Sequence, residues 1–162
     1  MSFKKVMCAA LATALVGAFA ASASASDKKM SINLGHVAIE TTPIGRGTEY
    51  FAQIVNEKTN GRITVSVFPN SQLGGNREMI EQLQMGTLQF CSPSNAFLGG
   101  FTDKTALFDL PYLFTSEEGA FKVFDSEVGT AILDDLEGAG IKGLGWFAMG
   151  WRNVTCNKEV HT

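Results

Sequence analysis

The sequence predicts an α/β fold, with a mostly parallel sheet flanked by helices. Three observations predict it. Residues 61–90 (GRITVSVFPNSQLGGNREMIEQLQMGTLQF) run strand, loop, helix, strand. A further strand and helix precede them, so the order as far as Cys91 is β-α-β-α-β with short connections. That order needs right-handed crossovers and a parallel sheet covered by helices. The polar and glycine-rich residues gather where the three strands end, which is where such sheets hold ligands.

Each element has its own signal. Residues 30–37 (MSINLGHV) form the first strand, with Gly35 opening its end. Residues 44–59 form a helix on which Gly47, Phe51, Ile54, Val55 and Lys58 fall at helical spacing. Asn60 and Gly61 tolerate positive φ and stop it. Ile63, Val65 and Val67 alternate with Thr64, Ser66 and Phe68, a β-branched period of two. Pro69 cannot donate to a ladder and ends that strand. Asn76 reads as a helix cap, and Met79, Ile80 and Leu83 make one apolar face. Gly86 ends the helix, and 88–91 is the third strand.

Beyond it, 93–114 reads as irregular chain with short helical turns. Phe97, Leu98, Phe101, Leu107, Phe108, Leu110, Tyr112, Leu113 and Phe114 make it very apolar; most are expected in the core and a minority along the cleft. Ser116 caps a helix carrying Phe121, Val123 and Phe124, with Glu117 and Glu118 at its positive end. A second helix carries Val128, Ile132, Leu133 and Leu136. Residues 141–148 are expected as a strand despite Gly143 and Gly145, and 151–157 as another extended stretch.

The amino terminus reads as an address. Lys4 and Lys5 precede an apolar run from Val6 to Ala20, and Ala23-Ser24-Ala25 offers a cleavage site. This is the pattern of a secretory signal peptide, assigned to residues 1–25. The apolar run is shorter than the ~20 residues a spanning helix needs, and no other segment has that length. Removing Lys4 and Lys5 lowers the formal charge from −3 by two, to −5. An acidic exported domain is a poor nucleic-acid binder. Cys91 and Cys156 remain, and two readings stand: a disulfide permitted by export, or two unconnected thiols, one in a buried strand.

Few chemical motifs are present. Residues 138–143 (GAGIKG) fit G-x-G-x-x-G, but a helix precedes them and a strand follows, the reverse of the dinucleotide arrangement. They read as a helix end and turn. There is no phosphate loop, no nucleophile elbow and no acid–base pair. His36 and His161 are not at metal-ligand spacing with the cysteines. No enzyme, cofactor or metal is expected. Arg152, beside Trp151, is the most informative charge. Its fork suits a carboxylate, although a surface arginine or a structural ion pair fits the same residues.

Several motifs in one order carry a family resemblance. They are Gly35-His36-Val37; the helix from Phe51-Ala52 to Gly61; Phe68-Pro69-Asn70 with Gln72-Leu73-Gly74; Glu81-Gln82-Leu83-Gln84 with Gly86-Thr87; Phe108-Asp109-Leu110-Pro111 with Phe114; and Gly150-Trp151-Arg152-Asn153. From Ile32 to Thr162 the chain resembles the DctP-like solute-binding proteins of tripartite ATP-independent periplasmic (TRAP) transporters. The resemblance implies a periplasmic-binding-protein-like lobe at residues 26–150, with 151–162 a crossover strand towards a second lobe. It implies a periplasmic protein that passes a small organic acid to a small and a large membrane subunit. Carried over residue by residue, the ligand contacts are Arg152 and Trp151, His36, Asn76, and Ser94, Asn95 and Phe97. Ser94 and Phe97 lack the charged groups of the sialic-acid-binding members. The family's further D-L-x-G-x-K-x-R segment, whose arginine is the family's main carboxylate clamp, is absent from this sequence. The chain therefore resembles an amino-terminal half and is not expected to close on a ligand by itself. A ligand sensor of the same fold and a non-functional fragment are the alternative readings; a small secreted enzyme is a third.

Overall fold

A computed structural model describes residues 28–151 and 155–158. Strand β1 (Met30–His36) is followed by α1 (Pro43–Lys58), β2 (Ile63–Phe68), α2 (Asn76–Gln84) and β3 (Phe90–Ser92). Two 3-10 segments, Asn95–Gly100 and Asp103–Asp109, lead to α3 (Glu117–Phe124) and α4 (Glu127–Asp135), which a 3-10 turn at Leu136–Ala139 closes. The sheet is parallel in the order β2-β1-β3. The expected β-α-β-α-β order and parallel sheet are thus observed. β1 is central: Leu34 stands opposite both Val67 and Phe90, and His36 opposite Ser92.

Period two along β1 separates two half-cores. Ile32 and Leu34 pack with Val65 and take Phe51, Ala52 and Val55 of α1 on one face. On the other side, Ile80 of α2 packs with Leu98 and Leu136, against Cys91, Phe101 and Leu133. Gly35 explains how α2 comes so close. A Cβ there would lie 2.6 Å from the Met79 sulfur, and Met79 is fully buried.

The helix starts are chemically specified. The Thr42 hydroxyl accepts from the Gly45 N–H at 3.2 Å, with Pro43 in the first turn. Ser116 accepts from Gly119 N–H, and Ser126 from Val128 N–H. At α2 the expectation fails by one residue. The cap is Gly75, not Asn76, and the Glu78 carboxylate accepts from the Gly75 N–H at 2.8 Å. Asn76 is thereby freed for a longer-range contact.

Two further expectations are corrected. Residues 141–148 form no strand. Their anchors run to α4 and the 3-10 turn that closes it: the Lys142 ammonium pairs with Asp134 and Glu137, and the Trp146 indole N–H donates to the Gly129 carbonyl. A strand needs a ladder partner for its backbone, and side-chain tethers to a helix do not supply one. Nor are most apolar side chains of 93–114 in the core. Leu98 is buried, Phe108 and Phe114 are half-buried, and Phe97, Leu107, Leu110, Tyr112 and Leu113 are exposed. Phe108 and Phe114 join Phe124 and Trp146 in an aromatic cluster with centroid separations of 5.0 to 6.1 Å. Cys91 and Cys156 are free thiols, which decides between the two readings of them.

Candidate functional site

Three strand ends and the start of α2 make one rim. The chain leaving β1 is tied to the chain leaving β2. Ser71 N–H donates to the His36 carbonyl at 3.1 Å, and Asn70 N–H to the Ala38 carbonyl at 3.0 Å. Both donors have left-handed backbones, with φ of 54° for Asn70 and 58° for Ser71. Neither residue is glycine, so this turn is held by its hydrogen bonds against a steric cost.

The third loop is fixed from two directions. The Asn76 Oδ1 accepts from the Ser94 N–H at 3.0 Å, which joins the α2 start to the loop after β3. Asn95 Nδ2 donates to the Thr105 carbonyl at 2.8 Å. The Asn95 Oδ1 is buried without a partner. Thr105 is itself fully buried and donates its hydroxyl to the Thr102 carbonyl. Phe97 stands exposed on the 3-10 turn that follows. The structure therefore brings together Asn76, Ser94 and Asn95, with Phe97 beside them. An unpaired amide oxygen beside the α2 start gives this cluster hydrogen-bonding capacity not consumed by the fold.

Other expected residues stand differently. His36 lies on the same rim through its pairing with Ser92, but alternation turns its side chain to the α1 face with Ile32 and Leu34. Its side chain is 1% exposed, and neither ring nitrogen has a hydrogen-bond partner. Burial holds its pKa below the ordinary value, against the opposing pull of the Ala38 backbone, Glu49 and Glu40. Trp151 is 55% exposed. Arg152 lies outside the described residues. Arg77 pairs with Glu81 on the exposed face of α2, as an ordinary helical ion pair. An open groove elsewhere is lined by Arg46, Glu49, Tyr50 and Gln53 of α1 and by Thr64 of β2, and does not include the rim cluster.

Sequence reasoning missed Thr105 and the Asn70-Ser71 tie. Thr105 follows Thr102-Asp103-Lys104, a polar stretch in which a further hydroxyl reads as exposed. The backbone donors of Asn70 and Ser71 have no side-chain signature at all. Among the described residues no group of His, Cys, Asp and Glu is placed to hold a metal ion. Among them also, no helix is long and apolar enough to cross a membrane.

In an open parallel α/β sheet, ligands sit beyond the carboxyl ends of the strands, where this polar rim lies. Comparison with known proteins makes this specific. The family model for bacterial extracellular solute-binding proteins of family 7, DctP, matches residues 34–162. The C4-dicarboxylate-binding periplasmic protein DctP of Rhodobacter capsulatus is 39% identical over 153 residues, covering 91% of this chain and 46% of that protein. The C4-dicarboxylate-binding protein DctB of Bacillus subtilis is 39% identical over 123 residues, covering 76% and 35%. Among solved structures, a TRAP periplasmic solute-binding protein from Sulfurospirillum deleyianum with bound succinate matches with a TM-score of 0.66. It is 37% identical, over 70% of this chain and 36% of that one. The sugar-acid-binding protein DctPAm of Advenella mimigardefordensis, in complex with galactonate, matches with a TM-score of 0.71. It is 30% identical, over 73% and 38%. This chain belongs to the DctP family of TRAP solute-binding proteins. It spans between about a third and a half of the length of these relatives.

Proposed function

We propose that this chain forms the first lobe of an extracytoplasmic solute-binding subunit that captures a small organic acid for a TRAP transporter. Residues 1–25 would direct it to the periplasm, and the small and large membrane subunits would receive the ligand. The observation that carries this reading is the Asn76–Ser94–Asn95 cluster at the carboxyl rim, in a chain whose relatives bind C4-dicarboxylates and sugar acids. In this reading Asn76 and Asn95 shape the loop, Ser94 and Phe97 face the ligand, and Arg152 next to Trp151 forks its carboxylate. The polypeptide has no catalytic work in this scheme.

The test is a titration of the 162-residue chain with succinate, galactonate and acetate, followed by amide NMR and by tryptophan fluorescence. Saturable, millimolar-range binding of a di- or hydroxy-acid is expected, with the largest shifts at Ser94, Asn95, Phe97 and Trp151. Arg152→Ala should weaken it at least tenfold, since a charge-assisted bidentate contact contributes about 1.5–3 kcal/mol. A folded chain whose rim signals ignore all three acids, or whose Arg152→Ala variant binds equally well, would refute the proposal.

A further inference from the structure

His36 combines features that its neighbours do not share. It is a titratable side chain at 1% exposure, alternation puts it on the β1 face that packs against α1, and neither ring nitrogen makes a hydrogen bond of good geometry, the Ala38 backbone being the one hydrogen-bonding group that acts on it. A neutral imidazole tolerates this at the cost of two unmade hydrogen bonds. An imidazolium must also lose its hydration, a far larger penalty. The backbone of the same residue is a structural node. Its carbonyl accepts from Ser71 N–H, and two residues on, the Ala38 carbonyl accepts from Asn70 N–H. Anything that displaces the ring from under α1 therefore acts on the tie between the first two strand ends.

The surrounding charges do not rescue the cation. The Ala38 backbone opposes burial most, followed by Glu49 of α1 and Glu40 of the β1–α1 loop, and burial outweighs all three; neither acid makes a hydrogen bond to the ring. Arg46 of α1 lies with Glu49 along the outer groove. Residues 63–75, which cover the β2 side, contain no titratable side chain, and β3 contributes only Cys91, which packs on the opposite face with Ile80.

We propose that His36 is an acid-sensitive latch for the carboxyl rim: neutral, it seals β1 against α1, and protonated, it releases the β1 and β2 ends from each other. The device is independent of which acid the protein binds. It would make the lobe's rim respond to acidification of its compartment through one residue.

The sign follows from linkage. Burial lowers the folded-state pKa of His36 below its unfolded value near 6.5. Between the two values the unfolded chain binds a proton that the folded chain refuses, so stability is present above pH ~6.5 and lost as pH falls towards the folded pKa.

The experiment is urea unfolding of the 162-residue chain at intervals from pH 5.5 to pH 8, for wild type and His36→Gln, with imidazole and amide NMR over the same range. In wild type the unfolding constant should rise by up to ~10-fold per pH unit below pH ~6.5, the slope of one proton. In His36→Gln that component should be absent. The His36 ring should titrate below the ordinary imidazole value near 6.5, and the Asn70 and Ser71 amides should lose exchange protection as it does. Identical pH slopes in the two proteins overturn the proposal. So does a His36 ring that titrates at or above the ordinary value near 6.5 with Asn70 and Ser71 still protected, a result readable in wild type even if the variant does not fold.

Discussion

Asn76 shows how one residue can be read correctly as important and wrongly as to its task. Its side-chain oxygen is an acceptor at the start of a helix, which is the pattern of a cap. The chain begins α2 one residue earlier, with Glu78 serving the Gly75 N–H, and Asn76 then reaches Ser94, 18 residues away. Sequence spacing carries the local contact but not the long-range one. The consequence is measurable. Asn76→Ala leaves the part-buried Ser94 N–H without its acceptor and should cost about 1–3 kcal/mol in urea unfolding. Asn76→Asp keeps an acceptor at the same place and should recover most of that stability. Equal stability of the alanine variant and wild type would remove Asn76 from the scaffold of the rim. Cys91 is a plainer case. The sequence placed it in a buried strand, and burial raises its thiol pKa to about 12, the state of an inert core residue.

At the level of elements, the regular β-α-β-α-β part was legible because two periods, 2.0 and 3.6, are written into residues 30–92 without conflict. The later part was not. Residues 141–148 have a strand's composition, yet Lys142 and Trp146 hold them side-on to α4. Whether an extended segment finds a ladder depends on what lies beside it, and composition does not contain that. Trp146 is the principal anchor. Its ring meets Phe108 edge-on at 5.0 Å and stacks with Phe124 at 5.7 Å. Trp146→Ala should therefore cost about 2–4 kcal/mol, counting the half-buried ring and two aromatic pairs. Trp146→Phe should lose much less. The measurement is the urea midpoint with the near-ultraviolet circular dichroism of the aromatic cluster. An unchanged spectrum and midpoint in the alanine variant would mean that 141–148 is not held through this ring.

For the molecule as a whole, the apolar side chains between residues 98 and 149 range from buried to fully exposed. Leu98, Ile132 and Leu136 are buried, while Leu107, Leu110, Leu113, Leu144, Phe147 and Met149 are exposed, and Tyr112 is 99% exposed at a left-handed φ of 60°. A bulky aromatic in that backbone region, with its whole ring in water, offsets neither the steric nor the hydration cost by any contact within the described residues. The expectation that most apolar residues of 93–114 form core failed for this reason: period and composition report that a side chain is apolar, not that a surface exists to cover it. Single exposed apolar residues are ordinary on a protein surface, but sets of them within one stretch of sequence are not. The chain should accordingly bind an apolar dye such as anilinonaphthalene sulfonate while cooperatively folded, and its sedimentation coefficient should rise with concentration. Replacing Leu110, Tyr112 and Leu113 together by serine should reduce both effects without lowering the urea midpoint, because exposed side chains contribute little to the folded state. A wild-type chain that ignores the dye and sediments as a monomer at every concentration would show that these residues are covered in solution by the chain itself. A triple variant that unfolds would show the same, and would return them to the core that the sequence first suggested.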